Sequence, residues 1–121
     1  MEDSMKLAAV VILALAMTGC ATVSDIEHTP ATMNMISGKT PQEYADCFMG
    51  KIGSSRSQPT VEPRHDGLRL IVAQKMSKSP TAIVDVENRS GGSSIKVYER
   101  LANVPIRFRD VQHAAEACIS G

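Results

Sequence analysis

The sequence predicts one small α+β domain: a two-layer sandwich in which an antiparallel meander of three or four strands carries an N-terminal and a C-terminal helix on one face, in the order α-β-β-β-β-α. Three observations predict it. A capped amphipathic helix opens at Thr40, short extended runs separated by turn residues fill positions 60–100, and a second apolar stripe of helical period closes the chain. At 121 residues the chain suits one domain and is too short for two. Its hydrophobic fraction of 43% excludes wholesale disorder. With 13 Lys+Arg balancing 13 Asp+Glu and no basic run, nothing drives nonspecific nucleic-acid binding. Tyr44, Phe48, Tyr98 and Phe108 are the only aromatic residues, so the core must be built from aliphatic side chains.

The first helix starts at Thr40-Pro41-Gln42-Glu43: an N-cap Thr, a Pro at the first helical position where its missing N–H costs nothing, and a Glu at N3 completing a capping box. Tyr44, Cys47 and Phe48 follow at i, i+3 and i+4, and Gly50 and Gly53 mark the exit. After a Ser-rich loop (54–58), Thr60 to Arg64 reads as a strand that Pro59 and Pro63 confine to an edge. His65-Asp66-Gly67 is a turn. Leu68 to Gln74 is a strand with Leu68, Leu70 and Val72 on one face. In the strand Ala82 to Glu87, Val84 and Val86 oppose Asp85 and Glu87. A Gly91-Gly92 turn leads to Ser94–Arg100, where Ile95 and Val97 alternate with Lys96 and Tyr98. Short connections make the meander antiparallel with one face wet. The last helix, from about Phe108 to Ile119, aligns Phe108, Val111, Ala115 and Cys118, with Asp110 near its positive end.

Ahead of this body lies Leu7-Ala-Ala-Val-Val-Ile-Leu-Ala-Leu-Ala-Met17, eleven uncharged apolar residues behind Lys6. As a helix they reach roughly 16 Å, about half a hydrocarbon core, which suits a secretory signal and not a membrane span. Glu2 and Asp3 fit an export signal poorly, and Met5-Lys6 makes the better start. The stretch ends in Met17-Thr18-Gly19-Cys20, which resembles the lipobox of bacterial membrane lipoproteins, with Met17 in place of the usual Leu. The resemblance covers about the first twenty residues. It implies cleavage between Gly19 and Cys20, a diacylglycerol on the Cys20 thiol and an acyl chain such as palmitate on the new amino terminus. Ala21, where Asp would hold a lipoprotein at the inner membrane, implies the outer membrane, facing the periplasm. Ordinary cleavage after Ala14-Leu15-Ala16 is the alternative, and it gives a soluble secreted protein.

The division that follows is a signal peptide at 1–19, a lipidated Cys20 with a flexible tether at 20–39, and a periplasmic domain at 40–121. The tether reading rests on absent periodicity and on Pro30 and Gly38, and implies a span of roughly 25 Å. Three cysteines leave one unpaired in an exported chain. If Cys20 carries lipid, Cys47 and Cys118 remain, each on the buried stripe of its helix, and outside the cytoplasm they are expected to form a structural disulfide.

The sequence assembles no catalytic pattern. His28, His65 and His113 have no second ligand at zinc spacing, and His113 with Glu116 reads as a solvated helix face. Met33 and Met35 lack Cys or His partners for a soft metal. His65-Asp66 beside Ser54, Ser55 and Ser57 supplies triad ingredients in one loop without a scaffold. Gly91-Gly92-Ser93-Ser94 precedes a strand and so lacks the helix dipole of a phosphate loop. Arg107-Phe108-Arg109 is a small basic cluster. No catalytic residue, metal or cofactor is therefore expected. The expectation is a non-enzymatic envelope lipoprotein, held by its acyl chains and bound to an envelope protein; an inhibitor or immunity module against a wall-degrading enzyme or toxin is the alternative, and a small periplasmic enzyme comes third.

Overall fold

The computed structural model describes residues 23–53, 56–75, 79–100 and 109–120. A helical turn at 23–27 precedes β1 (Met33–Ser37), α1 (Pro41–Ile52), β2 (Thr60–Arg64), β3 (Gly67–Ala73), β4 (Pro80–Arg89), β5 (Gly92–Glu99) and α2 (Asp110–Ala117). The five strands form one antiparallel sheet in the order β1-β5-β4-β3-β2. The α+β class stands, with two corrections. The sheet has five strands and not three or four, because residues 33–37, read as part of a flexible tether, pair with β5 along Met33↔Val97 to Ser37↔Ser93. The helices also divide their work: α1 lies across β3, β4 and β5, while α2 packs mainly against α1.

The local signals explain the elements. Thr40 Oγ1 accepts from the Glu43 amide at 3.2 Å and donates to the Glu43 carboxylate at 3.1 Å, capping α1 ahead of Pro41. Tyr44, Ala45, Phe48 and Ile52 form the buried stripe of α1. β2 is exposed along its whole length at the sheet edge, where Pro63 needs no inward hydrogen bond. α2 begins at Asp110, and Phe108 lies outside the described residues. Asp110 takes a two-pronged contact from Arg56 (Nε–Oδ2 2.7 Å, Nη2–Oδ1 3.0 Å), and Arg56 Nη1 also donates to the Ala73 carbonyl at 3.1 Å. One guanidinium thus ties the chain after α1 to the end of β3 and the start of α2.

Register builds the core row by row. Leu70, Val84, Val97 and Met33 share one row on the helix side of the sheet, and Leu68, Val86 and Ile95 the next, which ends at exposed Met35 on the sheet edge. Tyr44, Phe48, Ile52, Val111, Ala115 and Cys118 close over them. At fully buried Tyr44 the phenol donates to the Ala115 carbonyl at 2.7 Å, and burial raises its pKa far above the ordinary phenol range. A raised folded-state pKa stabilises fully below the unfolded value and is lost above it. Stability should therefore fall by about 1.4 kcal/mol per pH unit above about pH 10. Tyr44→Phe should remove that alkaline slope and cost about 1 kcal/mol at neutral pH, read from urea midpoints against pH.

Polar side chains fasten the end of β1. Buried Ser37 donates to the Ile119 carbonyl at 2.6 Å, and buried Ser93 to the Lys39 carbonyl at 2.7 Å. Gly92, at φ 153°, permits this approach, since a Cβ there would strike the Ser37 carbonyl.

Candidate functional site

The second face of the sheet was expected to be wet. Its residues are Ile71, Ile83 and Tyr98 in one row and Arg69, Asp85, Lys96 and Asn34 in another. Yet Ile83 is wholly buried, and so is Ile26 of the helical turn at 23–27. The turn is held over this face by Arg69, whose guanidinium grips Asp85 with a fork (Nε–Oδ1 2.7 Å, Nη2–Oδ2 3.0 Å) and reaches Glu27 with its remaining nitrogen (Nη1–Oε2 2.7 Å). The Arg69 side chain is 8% exposed, Asp85 16% and Glu27 38%. The bond to Asp85 outweighs the desolvation of Arg69, and its pKa lies above its ordinary value. The arrangement docks the segment 23–27 on this face of the sheet.

On the helix side Cys47 and Cys118 come together as expected, joined as a disulfide with Cα atoms 5.8 Å apart at a sequence separation of 71. Cys118 is fully buried and Cys47 partly so. The bond links α1 to the residue that ends α2. Gly19 and Cys20 lie outside the described residues, as do the apolar stretch 7–17, Ser54, Ser55 and Arg107.

His65 and Asp66 form the β2–β3 turn, with His65 Nδ1 2.8 Å from Asp66 Oδ1 and side chains 96% and 75% exposed. Beside them is an open depression of about 200 Å³ lined by Arg64, Leu68, Asp85 and Glu87 among others. Thr40 lines an adjoining shallow depression with His65 and Asp66, but its hydroxyl caps α1. A His–Asp pair needs a positioned nucleophile to become a triad, and among these lining residues none is offered. His28 sits after the helical turn with Nδ1 2.6 Å from the Ser24 carbonyl, and His113 lies on exposed α2 surface. Among the described residues no three His, Cys, Asp or Glu side chains gather closely enough to hold a metal ion. Met33 is a core residue, while Met35 is exposed.

Sequence reasoning missed Arg69, Asp85 and Glu27 as a unit. The signal was present in the pattern: Leu68-Arg69-Leu70 and Val84-Asp85-Val86 each carry one charge between apolar neighbours, and Arg69 and Asp85 lie directly opposite in register. Glu27 was not readable, because its contact depends on where the preceding chain folds. No protein-family model, curated protein or solved structure matches this chain.

Proposed function

We propose that this protein is a lipid-anchored lipoprotein of the bacterial envelope, a non-enzymatic interaction module held at the periplasmic face of the outer membrane. The observation that supports the reading is how soon after Cys20 the chain is docked on the sheet. Residues 23–27 form a helical turn, in which Ile26 is buried and Glu27 is paired with Arg69. From Cys20 to residue 23 the chain can reach at most about 11 Å, whatever its conformation. A domain anchored through Cys20 is therefore held against the headgroup layer and does not stand off on a long tether. Two or more acyl chains give such an anchor stability without a transmembrane helix. Among the described residues no helix is long and apolar enough to cross a membrane. The Cys47–Cys118 bond suits the oxidising compartment outside the cytoplasm.

The inhibitor reading has one specific support. The β2–β3 hairpin, tipped by exposed His65 and Asp66, projects at the sheet edge opposite β1. Loss of a wall-degrading target's inhibition on His65→Ala/Asp66→Ala, with the urea midpoint unchanged, would select it over the general module.

The anchor is tested by Cys20→Ser. The variant should accumulate as uncleaved precursor and take up no labelled fatty acid, whereas the unaltered chain matures and is labelled. Normal maturation of Cys20→Ser would refute the assignment.

A further inference from the structure

The two edges of the sheet are built differently. β2 is guarded by Pro63, Glu62 and Arg64, all features that discourage strand addition. β1, Met33-Asn34-Met35-Ile36-Ser37, has no charge and no proline, and its outer backbone groups are paired with no strand among the described residues. Among the described residues, two of the three exposed large hydrophobic residues lie on it, Met35 at 44% and Ile36 at 60%. α1 packs on β3, β4 and β5, and Ile119 meets Ser37 at one end of β1, while Asn34, Met35 and Ile36 are exposed.

We infer that β1 is a self-association edge, and that two copies of this chain pair through antiparallel β1 strands into one continuous ten-stranded sheet. The sequence suits a second copy as occupant. A five-residue strand overlaps itself fully in antiparallel register only about its middle residue. That register sets Met35 opposite Met35, Asn34 opposite Ile36 and Met33 opposite Ser37, with no like charges facing each other. Met35 of each copy covers the other on the helix side, and Ile36 gains a neighbour on the far side. The symmetry also fits a single membrane. The twofold axis of an antiparallel pair is perpendicular to the sheet, so the faces bearing Arg69 and the docked amino-terminal segments point the same way in both copies. Both anchors then emerge on one side. This last point rests on the lipoprotein reading; the pairing itself rests on the strand.

The test is the association state of the full chain purified from membranes in mild detergent, measured by sedimentation against concentration. The unaltered chain should dimerise, and Met35→Lys should raise the dimer dissociation constant at least about tenfold by setting two ammonium groups face to face. Because Met35 is exposed, Met35→Lys should keep the urea midpoint of the parent. In membranes, Met35→Cys should form an intermolecular disulfide and Ile36→Cys should not, a pattern specific to the register above. A chain that stays monomeric, a Met35→Lys dimer as tight as the parent, or an edge that takes up a different envelope protein overturns the inference. The acylation state of Cys20, read by mass on the same sample, reports on the anchor independently of the dimer.

Discussion

Cys47→Ser/Cys118→Ser should lower the unfolding free energy by about 4 kcal/mol relative to the oxidised chain. The bridge closes a loop of 71 residues, and the entropy it removes from the unfolded chain grows with the logarithm of that length. For a small domain whose total stability is of order 5–15 kcal/mol, the loss is a large share. It falls on a core with few aromatic anchors, to which α2 and its C-cap contribute, among the described residues, Val111, Ala114, Ala115 and Cys118. α2 should therefore loosen first. Urea unfolding of the oxidised chain against the double variant checks the magnitude, and amide exchange should show the earliest loss of protection in Asp110–Ala117. An unchanged midpoint would mean that packing alone holds α2 on α1.

Arg69→Ala should be the second large loss, about 3–5 kcal/mol, because it leaves the Asp85 carboxylate partly buried without its cation. Most of this belongs to Asp85. Glu27, more than a third exposed, contributes the smaller part through the docking of residues 23–27. Two further readings separate these contributions. Glu27→Gln should cost under about 1 kcal/mol yet expose the amides of the helical turn to exchange. Arg69→Leu/Asp85→Leu should recover much of the loss, since an apolar pair on this face needs no desolvation of charge. If Arg69→Ala unfolds at the parent's urea concentration, the ion cluster is not what holds the amino-terminal segment.

Much of the body was legible because local signals agreed with tertiary context. Thr40-Pro41-Gln42-Glu43 located the start of α1 to the residue, and the alternation in β3, β4 and β5 assigned the core face correctly. Pro63 placed β2 at an edge for a reason that holds in the fold. The Cys47–Cys118 bond was readable from two buried stripes and cysteine parity. β1 was not legible. Met33 and Met35 alternate, but the seven residues between Pro30 and Gly38 include only two β-branched side chains, Thr32 and Ile36, too little strand propensity to declare themselves. Their pairing is bought by β5, which offers Val97 and Ile95 as partners sixty residues further along the chain. The buried state of Ile26 was hidden for the same reason: a single apolar residue in a polar stretch gains a face only after the sheet exists. The wet-face expectation failed with it.

One measurement bears most directly on the account: the intact mass of the chain purified from native membranes, taken before and after reduction. The account predicts a species that begins at Cys20, carries acyl groups on that residue, and gains the mass of two hydrogens when the Cys47–Cys118 bond is reduced. A chain with Cys20 present and unmodified would contradict it, removing the anchor and with it the placement of the folded body against the bilayer.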